Sequence, residues 1–77
     1  LEVDAIVQKQ NGEWCAFEIK LGIGQIEEAA QNLKRFSSNL ENNNIEKLKS
    51  LNIITGSGIS YTRNDGINVI SLASLGF

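Results

Sequence analysis

Along the first twenty residues, apolar and polar side chains alternate in two short stretches separated by Asn11-Gly12, which predicts a strand, a turn and a second strand. The period then changes across Gly22 and Gly24. From Gln25 to Leu40 the apolar residues fall at Ile26, Ala29, Ala30, Leu33, Phe36 and Leu40, the stripe of an amphipathic helix. Beyond Asn42-Asn43-Asn44, the spacing of Ile45, Leu48 and Leu51 predicts a short second helix with an asparagine as its N-cap. Leu51 to Thr55 is a nearly continuous apolar run ended by Gly56-Ser57-Gly58, which suits a buried strand. Ile59–Arg63 and Ile67–Leu72 flank Asn64-Asp65-Gly66 as a further hairpin. A strand that follows a crossover helix runs parallel to the strand before it. The expectation is therefore an α/β fold, a mixed sheet with the long helix packed on one face.

The first hairpin has two registers to choose between. A two-residue Asn-Gly turn would pair Gln10 with Glu13 and put Val3, Ala5 and Val7 on one face with Ala16, Glu18 and Lys20. Neither face would then be apolar. A three-residue loop, Gln10-Asn11-Gly12 with Gly12 left-handed, pairs Lys9 with Glu13 instead. One face then collects Val3, Ala5, Val7, Cys15, Phe17, Ile19 and Leu21, and the other Glu2, Asp4, Ile6, Gln8, Trp14, Ala16, Glu18 and Lys20. At ~25 cal/mol per Å² of apolar area, keeping the apolar set together outweighs the turn preference by several kcal/mol. The three-residue loop is expected, with the apolar set as the buried face.

That register puts Asp4 opposite Glu18, where facing residues have Cβ atoms ~4.5–5.5 Å apart, and Lys20 points the same way. Two carboxylates so close repel unless a cation lies between them or one takes up a proton. Mg²⁺ takes hard oxygen ligands, commonly one or two carboxylates with waters and phosphate. Such an ion polarises a scissile phosphate, and a nearby lysine can orient the attacking water or neutralise the transition state. Asp4 and Glu18 are thus the candidate metal ligands for Mg²⁺ or Mn²⁺, and Asp4, Glu18 and Lys20 the candidate catalytic set.

Composition narrows the setting. The chain has 77 residues, a net charge of −2, one cysteine (Cys15), no histidine and no proline. A domain this small buries only roughly 60% of its unfolded surface. With neither a disulfide nor a Cys/His zinc site to reinforce it, oligomerisation would supply the missing burial. The acidic pI of 4.9 provides no general attraction to nucleic acid, so any such binding needs a local site. No run approaches a membrane span, and the lone cysteine fits a reducing, cytoplasmic setting. Leu1-Glu2-Val3 reads as the middle of a strand, so the single domain 1–77 is expected to be a piece of a longer protein, truncated at its N-terminus.

An Asp, a spacer and then Glu-x-Lys is the signature of the PD-(D/E)xK nuclease superfamily, which this stretch resembles. The residues are Val3-Asp4 and Glu18-Ile19-Lys20-Leu21-Gly22. More narrowly, Glu2-Val3-Asp4, the Glu-Ile-Lys-Leu-Gly run, the following helix and Asp65-Gly66-Ile67-Asn68-Val69-Ile70-Ser71-Leu72 resemble a nuclease-like C-terminal domain of bacterial and archaeal AAA-type ATPases. The resemblance implies a restriction-endonuclease-like strand-strand-helix-strand core, a nucleic-acid phosphodiesterase activity and an N-terminal ATPase module as partner. It also implies that Asp4 and Glu18 bind metal and that Lys20 is the catalytic lysine. Some branches carry Gln and, four residues on, Tyr on the helix after the lysine; here Gln31 is followed by Arg35, and that sub-signature fails. A non-catalytic module of the same fold, for oligomerisation or docking, is the alternative.

Other conspicuous residues have plainer readings. Glu-x-Lys by itself is common on exposed strand faces as a solvated pair, and Glu2 reads as a strand charge. Trp14 reads as a packing lid or interface residue and Cys15 as a small apolar residue, while Lys34, Arg35, Lys47 and Lys49 read as solvated faces. Gly56-Ser57-Gly58 lacks the P-loop lysine and reads as a turn.

Overall fold

The first hairpin closes as the three-residue loop requires. In the computed structural model, which describes residues 3–40 and 46–75, the Lys9 amide donates to the Glu13 carbonyl at 2.7 Å and the Gly12 amide to the Lys9 carbonyl at 3.0 Å. Gly12 sits at φ 88°, a left-handed conformation that costs a side-chain-bearing residue strain. The loop joins β1 (Ala5–Gln8) to β2 (Trp14–Ile19) in the expected register, Ala5 facing Phe17 and Val7 facing Cys15.

A short 3₁₀ turn, Ile23–Gln25, leads into α1 (Ile26–Ser38), which returns the chain to β3 (Leu48–Thr55). β3 lies parallel to β2, as the crossover predicts, and β5 (Asn68–Ser71) lies parallel to β3. The edge strand β4 (Tyr61–Thr62) runs antiparallel to β5. The sheet order is β1-β2-β3-β5-β4, a five-stranded mixed sheet. The β4–β5 turn repeats the first loop: Arg63 donates to the Ile67 carbonyl at 2.8 Å, with Gly66 at φ 86°. Among the described residues no helix is long and apolar enough to cross a membrane.

Two expectations are corrected. Leu48 and Leu51 belong to β3, which begins three residues earlier than the apolar run indicated. Of the expected second helix only Glu46 and Lys47 are helical among the described residues, while Ile45 and the three asparagines lie outside them. The β2–β3 pairing shifts register between Trp14 and Cys15, so Leu48 faces Trp14, Ser50 faces Cys15 and Leu51 faces Ala16, and Leu48 and Leu51 share a side of the sheet without a helix.

The second correction concerns which face is the core. α1 lays Ala29, Ala30, Leu33 and Phe36 on the face that carries Trp14, Ala16 and Glu18, not on the apolar face. Ala16 and the pair Ala29/Ala30 are fully buried, which lets helix and sheet approach closely; Trp14 meets Phe36 edge-on with ring centroids 5.7 Å apart. Ile53, Ile67 and Val69 complete this core with Val3. Of the set expected to be buried, Val3 is buried and Ala5, Cys15 and Phe17 are half-buried, but Val7, Ile19 and Leu21 are exposed.

The open face tolerates exposure because its middle row is polar. Beside Phe17, the polar residues Asn52, Asn68 and Thr62 face one another across three strands. The Asn52 amide donates to the Ala16 carbonyl at 3.2 Å and accepts from Asn68 at 3.1 Å, and Asn68 accepts from Thr62 at 3.0 Å. Buried Asn52 is thereby satisfied.

Substituting Gly12→Ala is expected to destabilise the domain by about 1–2 kcal/mol, the cost of left-handed backbone. Gly24→Ala, where a Cβ meets nothing within 4 Å, is expected to leave stability unchanged or slightly raised. Thermal melts of the two variants check this; equal melting temperatures would contradict the three-residue loop.

Candidate active site

The site is built where the hairpin ladder runs out. Ala5–Phe17 is the last regular pair, one short of the expected Asp4–Glu18 pair. The Asp4 amide still donates to the Phe17 carbonyl at 3.1 Å, while its Oδ2 accepts the Ile19 amide at 2.8 Å. Asp4 thus takes up a backbone donor that the end of β1 would leave unpaired. A carboxylate has about four lone-pair sites, so this bond does not exhaust its capacity to accept.

Glu18 is the last residue on β2's buried face and is only 5% exposed. Its neighbours in the row are Ile53 on β3 and, beyond it, Val69 on β5, so sheet and helix enclose it on apolar surroundings. Oε2 is buried without a hydrogen-bond partner. Burial pushes the Glu18 carboxyl above its ordinary value, and the negative charges of Asp4 and, less, Glu28 add to this. A hydrogen bond from Asn32 and the nearby Lys20 cation oppose the rise. Lys20 itself is anchored by its amide, which donates to the Ile54 carbonyl at 2.9 Å and carries the β2–β3 pairing one residue past the strand. Asp4, Glu18 and Lys20 are therefore electrostatic neighbours, while Glu2 lies outside the described residues.

Glu28 and Asn32 were not among the residues singled out from sequence. They stand one turn apart on α1, in the row bordering the Ala29–Leu33–Phe36 stripe. A polar i, i+4 pair beside an apolar stripe is the signal that could have found them. Asn32 also accepts from Arg35 Nη1 at 3.4 Å, so Arg35 faces this network and not free solvent alone.

Three other basic residues are ion-paired. Lys34 pairs with Asp65 at 2.8 Å, Lys49 with Glu13 at 3.1 Å, and Arg63 bridges Glu27 at 3.1 Å and Asp65 at 3.2 Å. The bond from Lys34 first, then the Ile67 amide and the Arg63 charge, lower the Asp65 carboxyl to about 2 against its desolvation. Trp14 packs as expected, and Gly56–Gly58 forms a bend.

The donors suit a hard divalent ion. Among the described residues no group of three or more His, Cys, Asp or Glu could hold a metal. Two carboxylates, one of them with an unpartnered buried oxygen, match Mg²⁺, which keeps several waters. A cation there would satisfy Oε2 and relieve the Asp4–Glu18 repulsion.

The raised Glu18 carboxyl fixes a sign. The fold binds that proton more tightly than the unfolded chain does. Its contribution is therefore intact below the ordinary value of 4.5 and is lost as pH rises through the folded value. Without metal, Glu18→Gln is expected to stabilise the domain at pH 7 by ~1–3 kcal/mol, the penalty of an unsatisfied buried group. That is several degrees of melting temperature at ~4–8 °C per kcal/mol. The gap should close near pH 4. Asp65→Asn should do the reverse, its deficit present at pH 7 and vanishing only as pH falls toward 2. Melting curves across pH check both signs.

No curated protein and no solved structure matches the chain. Residues 1–75 match the model of a family described as a domain of unknown function, DUF4143, and the chain belongs to that family.

Proposed function

We propose that this domain is a metal-dependent nucleic-acid phosphodiesterase of PD-(D/E)xK type, with a restriction-endonuclease-like core, working as the C-terminal part of a larger ATPase. The observation that carries the reading is the buried, unpartnered Glu18 Oε2 held beside Asp4 and Lys20. An oxygen in that state costs stability unless a cation or proton completes it, and a site that stores such a cost has a use for the missing partner. Asp4 and Glu18 would hold Mg²⁺ or Mn²⁺. The bound ion supplies Lewis acidity toward the scissile phosphate and toward water. Lys20 orients the attacking water and offsets charge that builds on the phosphoryl oxygens as the new P–O bond forms and the ester P–O bond breaks. The apolar surround of Glu18 excludes bulk water and strengthens each of these interactions.

One specific observation favours a second reading, a non-catalytic module that docks a partner or a second copy: Val7 and Ile19 are exposed on the sheet face opposite α1. The test is Mg²⁺ or Mn²⁺ binding and DNA and RNA cleavage by the full-length protein. Wild type is expected to bind the ion at millimolar concentration and cut. Glu18→Gln should lose the ion. Lys20→Met should keep it and lose about 10²-fold or more in rate. A wild type that binds no divalent ion ends the nuclease reading; one that binds and never cuts favours the docking module.

A further inference from the structure

We propose that the apolar cleft walled by Leu21, the residue after Lys20, is a nucleobase subsite, so that the substrate is a nucleic acid with an unpaired base near the cleaved phosphate. This deepens the nuclease reading and rests on it. The cleft has a volume of about 120 Å³ and is lined by Leu21, Ile26, Thr55, Ile59, Tyr61 and Val69. Three of its walls are among the most exposed large apolar side chains described: Ile59 at 77%, Leu21 at 65% and Tyr61 at 43%. Isolated exposed apolar residues are ordinary, but three converging on one concavity mark a binding surface.

Its position ties it to the carboxylates. Glu18 faces Ile53, Ile53 faces Val69, and Val69 faces Tyr61, one row across four strands on the helix side of the sheet. At ~4.8 Å per strand, Tyr61 lies about 14 Å along the sheet from Glu18. That is roughly four stacked nucleotides at ~3.4 Å each, and fewer of an extended strand. The near wall is closer still, since Leu21 directly follows Lys20.

The chemistry selects a flat ring. A space of this size admits one ring, not a helix or a strand face. Tyr61 supplies an aromatic wall for stacking, which is tolerant of base identity. At the rim, Ser57 and Gly58 bring backbone and hydroxyl groups; the Ser57 carbonyl takes the Thr55 hydroxyl at 3.2 Å, and Gly58 at φ +100° opens onto free space. An apolar cavity with a few polar groups at one edge is how bases are held. On the other flank of Tyr61, Lys34 and Arg63 balance Asp65 and Glu27, so a phosphate passing there meets no uncompensated negative charge. A base stacked within a duplex cannot enter such a cleft, which requires a single strand, an end or a flipped base.

The test uses the intact protein and a single-stranded oligodeoxynucleotide carrying one 2-aminopurine, alone or annealed to its complement, in metal-free buffer. Mg²⁺ affinity is measured separately by calorimetry. The single strand is expected to bind about tenfold or more tighter than the duplex, with quenched fluorescence. Tyr61→Ala and Ile59→Ala should each weaken it about tenfold and leave Mg²⁺ affinity and melting temperature unchanged. Variants that bind the strand as wild type does, or a duplex bound equally well, overturn the proposal. So does a self-association that Ile59→Ala abolishes while strand binding persists. Mg²⁺ affinity without strand binding removes the cleft alone. Cleft-dependent strand binding without Mg²⁺ affinity supports the base subsite and removes the nuclease reading.

Discussion

The enclosure of the Glu18 carboxylate between β2 and α1 is the constraint on which this domain turns. Burying a carboxylate costs free energy unless its oxygens find partners, and here Asn32 and Lys20 compensate it while Asp4 and Glu28 oppose them. The apolar core around it can bear the cost. Leu33, Ile53, Ile67 and Val69 are all but fully buried, each worth ~1.5–3 kcal/mol of transfer free energy. The deficit at one oxygen is a few kcal/mol at most. Core burial wins, and the domain folds around a group held in an unsatisfied state.

Everything that positions this group traces to short-range geometry. Gly12 sets the hairpin register, the register ends the ladder at Ala5–Phe17, and the spare Ile19 amide then draws in the Asp4 carboxylate. The parallel β2–β3 pairing continues through the Lys20 amide, which keeps the lysine beside Glu18. Close approach of Ala29 and Ala30 to Ala16 lets α1 seal the site. One row of the sheet then carries the consequence from Glu18 through Ile53 and Val69 to Tyr61.

Much of this was legible in the residues. The period-2 pattern was enough for the register, against the default two-residue turn of Asn11-Gly12, because a one-residue slip would have mixed apolar and charged side chains on both faces. The helix and the parallel crossover followed from the Ile26–Leu40 stripe. What misled was the assumption that the more apolar face must be the covered one. α1 instead chose the face with small Ala16, where a helix packs closely, and buried Glu18 with it; the polar row Asn52–Asn68–Thr62 keeps the other face from being a core. Asn32 and Glu28 stayed hidden because their partner is far away in sequence. The helical reading failed at Leu48 and Leu51 because a register shift in the β2–β3 pairing lets two residues three apart share one side of a strand.

In the proposed reading, a destabilised carboxylate, a lysine and an apolar cleft form one surface for phosphodiester chemistry. Its central claim is that Glu18 is held short of a cation. The most direct measurement is a carbon-13 NMR titration of the Glu18 side-chain carboxyl with and without Mg²⁺. The account predicts a titration above the ordinary carboxylate range without metal, and a marked downward shift when millimolar Mg²⁺ is added. An ordinary titration that Mg²⁺ does not move would contradict it.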